Sequence, residues 1–105
     1  MAKQTPRQKA TVGRVMHEFK HGELTAGASG EKVANPKQAV AIALSEAGAS
    51  READPAKNRQ HARRTRAKEA RGLTAEAETE GKRAQDRTLA RGGARSKKTA
   101  DAMPH

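Results

Sequence analysis

Large apolar side chains crowd into one stretch of the chain. Val12, Val15, Met16, Phe19, Leu24, Val33, Val40, Ile42 and Leu44 all fall between positions 12 and 44, and after them come only Leu73, Leu89 and Met103. Burial of such side chains is the dominant favourable term in folding, so the pattern predicts a core built by the first half. The second half lacks that surface and is expected to be disordered or loosely helical.

Within the first half, Val12, Val15, Met16 and Phe19 stand at i, i+3, i+4 and i+7, one face of a helix. This predicts a first helix over about 10–21, ended by Gly22 and preceded by a flexible basic lead-in at 1–9. Residues 22–34, with Gly22, Gly27 and Gly30, read as a loop. Asn35-Pro36-Lys37-Gln38 opens a second helix, because Asn caps well and Pro suits the first helical position. That helix runs to about Ala47, and Gly48 ends it. The run Ala39-Val40-Ala41-Ile42-Ala43-Leu44 also alternates at period two; the cap and the alanine content favour helix over strand. On it Val40 and Leu44 share a face while Ile42 points nearly the opposite way. A helix apolar on two sides wants two neighbours, so self-association through Val40, Ile42 and Leu44 is expected.

Charge changes the picture of the second half. The chain carries 22 Lys+Arg against 12 Asp+Glu, a formal net of +10. The stretch 55–72, opened by Asp54-Pro55 and closed by Gly72, holds seven of these cations against one acid, Glu69. They are Lys57, Arg59, Arg63, Arg64, Arg66, Lys68 and Arg71. At 100° per residue Lys57, Arg64, Lys68 and Arg71 form one stripe and Arg59, Arg63 and Arg66 another. Such a helix suits phosphates on both walls of a duplex groove. Thr74 to about Ala90 reads as a further polar helix, and Arg91 to His105 as a Gly/Ser/Lys tail. Zero Cys excludes disulfides, thiolate catalysis and cysteine-ligated zinc. Phe19 is the one aromatic residue, so bases have no stacking platform and any nucleic acid is met through its phosphates. No apolar run suits a signal peptide or a membrane span, and segment 55–72 has no apolar face for a membrane surface.

Motifs for catalysis are weak. His17-Glu18-Phe19-Lys20-His21 matches H-E-x-x-H, in which the two histidines bind zinc and the glutamate activates water. The extended form wants Gly at 24 and His at 27, where this chain has Leu24 and Gly27. Glu46 and Glu52 are carboxylates that nothing in the sequence positions. With no third ligand, the pair reads as polar residues on a solvated helix face, and no metal site is expected. Gly22 to Ser29 echoes a phosphate-cradling loop, but Ala28 holds the lysine position and no strand precedes it; Lys32 lies nearby. Ser29 and Ser45 lack a paired base. Arg91-Gly92-Gly93 is a single RGG, too little for an RNA-binding repeat. Lys37 and Gln38 would be groove contacts in a helix-turn-helix sense, but the 22–34 connection is longer than that motif's turn.

The stretch from Val12 to Ser50, VGRVMHEFKHGELTAGASGEKVANPKQAVAIALSEAGAS, resembles a family of small uncharacterised bacterial proteins catalogued as a domain of unknown function. The family pattern is V-M-x-E-F-K-x-G-x-L, a Gly/Ser loop, then K-x-x-N-P-K-Q-A-I-A-I-A-L-S-E-A. Val40 stands where Ile is more usual. The resemblance implies a bacterial cytoplasmic protein and no established activity.

These readings converge on a mainly α protein. A two-helix hairpin module at 10–50 precedes a basic, low-hydrophobicity, largely disordered or loosely helical tail at 51–105. The expected function is low-specificity binding of nucleic acid, duplex DNA first, through phosphate contacts from the seven cations of 55–72, in the cytoplasm at the nucleoid. No enzyme activity, cofactor or small-molecule substrate is expected. The alternative is a protein-interaction or oligomerisation module with a solubilising charged arm.

Overall fold

The computed structural model describes residues 4–26 and 30–101, with side chains described as far as Gly92. The loop residues Gly27, Ala28 and Ser29 lie outside the described residues, as do 102–105. The chain is mainly helical: α1 (Pro6–Lys20), α2 (Pro36–Ala47), α3 (Pro55–Arg71), α4 (Ala75–Glu80) and α5 (Lys82–Asp101). Two short strands, β1 (Thr25–Ala26) and β2 (Glu31–Lys32), join α1 to α2. They pair antiparallel, Thr25 opposite Lys32 and Ala26 opposite Glu31.

Helix α1 starts earlier than its apolar spacing predicts. Thr5 and Gln8 form a capping box: the Gln8 N–H donates to Thr5 Oγ1 at 3.0 Å, and the Thr5 N–H to Gln8 Oε1 at 2.8 Å. Pro6 occupies the first turn, where its missing N–H and fixed φ suit a helix start. Pro6–Lys9 are thus helical and not part of a flexible lead-in. The loop expected at 22–34 contains the small hairpin, whose base is extended by Val33 N–H donating to Leu24 O at 2.9 Å. Leu24 and Val33 there join Val15, Ala39 and Ala43 in the apolar core, with Val12, Met16, Phe19 and Ile42 packed around it.

Helix α2 has the predicted bounds. Asn35 caps it by accepting from the Lys37 N–H at 2.9 Å. Its inward face is the row Ala39, Ala43 and Ala47, not Val40 with Leu44. Ile42 packs against the chain's own core, and α2 has its second neighbour in α3 of the same chain. Of the three residues expected to meet a second copy, only Val40 is exposed, at 45%. Gly48 ends α2 at φ +76°, where a Cβ would stand 2.4 Å from the Asn58 carbonyl oxygen of α3.

The second half is helical, but through α4 and the start of α5 it is packed, not loose. The core there is polar. Arg14 of α1 is 2% exposed, and its guanidinium donates to three carboxylates: Glu18 Oε2 at 2.7 Å, Glu46 Oε1 at 2.6 Å and Glu69 Oε2 at 2.8 Å. Glu46 lies on α2 and Glu69 on α3, so one side chain ties three helices. Glu69 also accepts from Arg7 Nη2 at 2.8 Å and Thr11 Oγ1 at 3.0 Å. Glu18 accepts in addition from the Glu76 backbone N–H of α4 at 2.9 Å. Buried Gln85 of α5 receives a bond from Thr74 Oγ1 and donates to the Glu69 carbonyl at the end of α3. Thr88 Oγ1 donates to Glu76 Oε2 at 2.6 Å.

This network is why a segment poor in large apolar residues packs. A buried polar group is tolerated once it is hydrogen-bonded, and here polar partners replace apolar area. Burial opposes the charge on Arg14, but the three carboxylates outweigh it and hold the guanidinium firmly protonated. Glu18 is raised too, but in its case by burial itself, with Arg14 opposing. Helices α1 and α5 meet at small residues. Gly13 faces Gly92, and a Cβ on Gly92 would lie 3.1 Å from Ala10 Cα. The glycine of the lone Arg91-Gly92 pair therefore serves helix packing.

Candidate nucleic-acid interface

Asp54 caps α3 by accepting from the Lys57 N–H at 2.8 Å, and Gly72 ends it in the left-handed conformation that a glycine adopts without strain. Thr65 and Glu69 are its buried residues, with Asn58, His61 and Ala62 half-buried beside them. All seven predicted cations, Lys57, Arg59, Arg63, Arg64, Arg66, Lys68 and Arg71, are exposed. Both stripes therefore flank the inward face and stand in solvent. The one acid of the segment, Glu69, is turned inward and is 1% exposed. None of the seven cations makes an ion pair among the described residues. The contrast with Arg7 and Arg14, each held by a carboxylate, separates structural cations from available ones.

Helix α5 adds cations beyond the seven of α3. Arg83, Arg87 and Arg91 are exposed at successive i,i+4 positions, hence on one face. Their neighbouring acids are occupied elsewhere: Glu76 is buried, and Asp86 is paired with Lys82 at 2.7 Å, which lowers its carboxyl below the ordinary range. The i,i+4 arginine spacing was the signal available in the sequence. Lys37 and Gln38 are exposed at the start of α2, with the β1–β2 hairpin in place of a tight turn.

A second cluster forms where α1 meets α4. His17 and His21 stack with ring centroids 4.1 Å apart. His17 Nε2 lies 2.8 Å from Glu80 Oε2 and 3.4 Å from Glu76 Oε2. The third side chain that the sequence did not provide near the motif thus comes from α4. Burial first, and then the hydrogen bond to Glu80, push Glu23 up to about 7. The bond from Glu23, then that from His17, hold Glu80 below the ordinary carboxylate range.

A family profile covers the first half of this architecture, from residue 3 to residue 58. The chain belongs to DUF6496, a family of unknown function. The match spans α1, the hairpin, α2 and the first turn of α3. Most of the basic face of α3, and all of α4 and α5, fall beyond it. No curated protein matches the chain, and no solved structure matches it. Among the described residues no helix is long and apolar enough to cross a membrane.

Proposed function

We propose that this protein binds nucleic acid with low sequence specificity, duplex DNA first, through phosphate contacts from the exposed face of α3. The observation that supports the reading is the seven solvent-facing cations, without an ion pair among the described residues, on one helix whose only acid is buried. Arg63, Arg64, Arg66, Lys68 and Arg71 would neutralise phosphates from the two stripes, with Lys57 and Arg59 nearer the amino end. Each neutralised phosphate releases condensed counterions, so affinity falls with salt. With no Trp or Tyr and a single Phe, base stacking has nothing to add. Protein-only association is the alternative reading, with Val40 on the outer side of α2 and Leu73 after α3 as exposed large apolar side chains.

Five or six neutralised phosphates give a slope of log K against log salt of roughly −5 on duplex DNA. Replacing Arg63, Arg64 and Arg66 together by alanine reduces that slope by about two to three units, with little dependence on DNA sequence. Lys37→Ala leaves it unchanged. Salt-titrated fluorescence anisotropy on labelled duplex measures both. An unaltered slope in the triple variant removes α3 as the interface. The test uses substitutions because residues 1–54 are not an independent unit: Arg14 and Thr11 of α1 bond to Glu69 of α3, and α1 packs on α5.

A further inference from the structure

The cluster between α1 and α4 is independent of the basic face of α3. His17 and His21 stand one helical turn apart on α1, and Glu80 stands at the end of α4, sixty-three positions from His17. One ligating atom from each of His17, His21 and Glu80 falls within 4.8 Å of the other two. Zinc bound tetrahedrally at about 2.0–2.1 Å holds its ligand atoms roughly 3.3 Å apart. Side-chain rotations alone can close that difference. His21 and Glu80 are exposed and His17 is half-buried, so an ion has a path in from solvent.

A second observation points the same way. Glu76 is fully buried, and its carboxylate lies against His17, with Oε2 at 3.4 Å from Nε2. Oε2 is satisfied by Thr88, but Oε1 has no hydrogen-bond partner among the described residues. A buried carboxylate oxygen without a donor is costly, and a nearby cation offsets that cost. Glu76 and Glu80 thus set two carboxylates against two imidazoles, and the imidazole nitrogens select borderline transition metals over calcium or magnesium.

We propose that His17, His21 and Glu80 bind one divalent transition-metal ion of the zinc class, backed by Glu76, and that the ion clips α4 to the end of α1. The ion has a structural role here, not a hydrolytic one. In the H-E-x-x-H enzymes the glutamate must reach metal-bound water. Here Glu18 is 1% exposed and committed to Arg14 and to the Glu76 N–H. The glutamate of the motif is therefore not free to act as general base at the ion.

Zinc chloride titrated calorimetrically into the full chain at neutral pH tests this. The wild type takes up one ion with submillimolar or better affinity, and zinc raises its melting temperature. His21→Ala and Glu80→Gln each weaken binding by about tenfold or more and abolish the thermal shift. Both positions are exposed, so their helical circular dichroism stays that of the wild type. His61→Ala, a half-buried histidine on α3, binds as the wild type does. Absence of wild-type binding in this range overturns the proposal. So does a Glu80→Gln variant that binds as tightly as the wild type while His21→Ala does not, which marks an adventitious histidine pair. Duplex binding by α3 is measured separately and stands or falls on its own salt slope.

Discussion

Replacing Arg14 by methionine lowers the melting temperature by at least about 12 °C. Removing one partner of a buried ion pair costs about 3–5 kcal/mol, and a domain of this size loses roughly 4–8 °C per kcal/mol. The cost arises from what remains. Glu18, 1% exposed, keeps its burial and loses its cation, and the equally buried Glu69 is left with Arg7 alone, with Glu46 beside them. Lysine is no conservative substitute at this position. The three guanidinium nitrogens each reach a different carboxylate, a fork that a single ammonium cannot reproduce. Arg14→Lys therefore loses on the order of half as much. Adding Glu69→Gln to Arg14→Met recovers part of the loss, because the pair acts as a unit. The chain has no Trp or Tyr, so melting is followed by the helical circular dichroism signal. An Arg14→Met protein within about 1 kcal/mol of the wild type, the range of an exposed ion pair, would show that the network carries little of the fold.

Gly48→Ala is the second large effect. A non-glycine residue in the left-handed region costs about 1–2 kcal/mol. The added Cβ must also find room 2.4 Å from the Asn58 carbonyl oxygen and 2.8 Å from Ala62 Cβ. Both are parts of α3 with no freedom to swing away, and overpacking of this kind adds about 1–3 kcal/mol. The total is on the order of 3 kcal/mol, read from the shift of the urea midpoint. Gly22→Ala separates the two contributions. Gly22 has nearly the same φ, +70°, with nothing within 4 Å of the added Cβ, so it shows the conformational cost alone. Equal losses at the two positions would mean that α2 and α3 are not pressed together at Gly48.

The helix boundaries were legible wherever a cap is local. Asn35-Pro36, Asp54-Pro55, Gly48 and Gly72 mark α2 and α3 as the structure has them. Thr5-Pro6 with Gln8 carried the same information for α1, but the apolar spacing drew attention further along. The seven cations of α3 were visible as a block because they are contiguous. What stayed hidden depends on distant pairings. Glu69 reads as one acid diluting a basic run, and only its position 55 residues from Arg14 reveals it as a core group. Glu80 reads as one of several acids after Gly72, and the fold carries it to His17. An inventory of large apolar residues misses Arg14, Glu76, Gln85 and Thr88 as core members, so the second half looked too polar to pack.

The composition of that interior also governs how the protein responds to temperature. Among the described residues the buried apolar set is five alanines, two valines and one leucine, beside nine buried polar or charged residues. Newly exposed hydrocarbon raises the heat capacity of unfolding, and newly exposed polar surface lowers it. Melting this interior releases little of the former and much of the latter, so the heat capacity increment falls below the usual ~12–15 cal/mol/K per residue. The stability curve is correspondingly flat, and cooling weakens this protein less than one held together by leucine and phenylalanine.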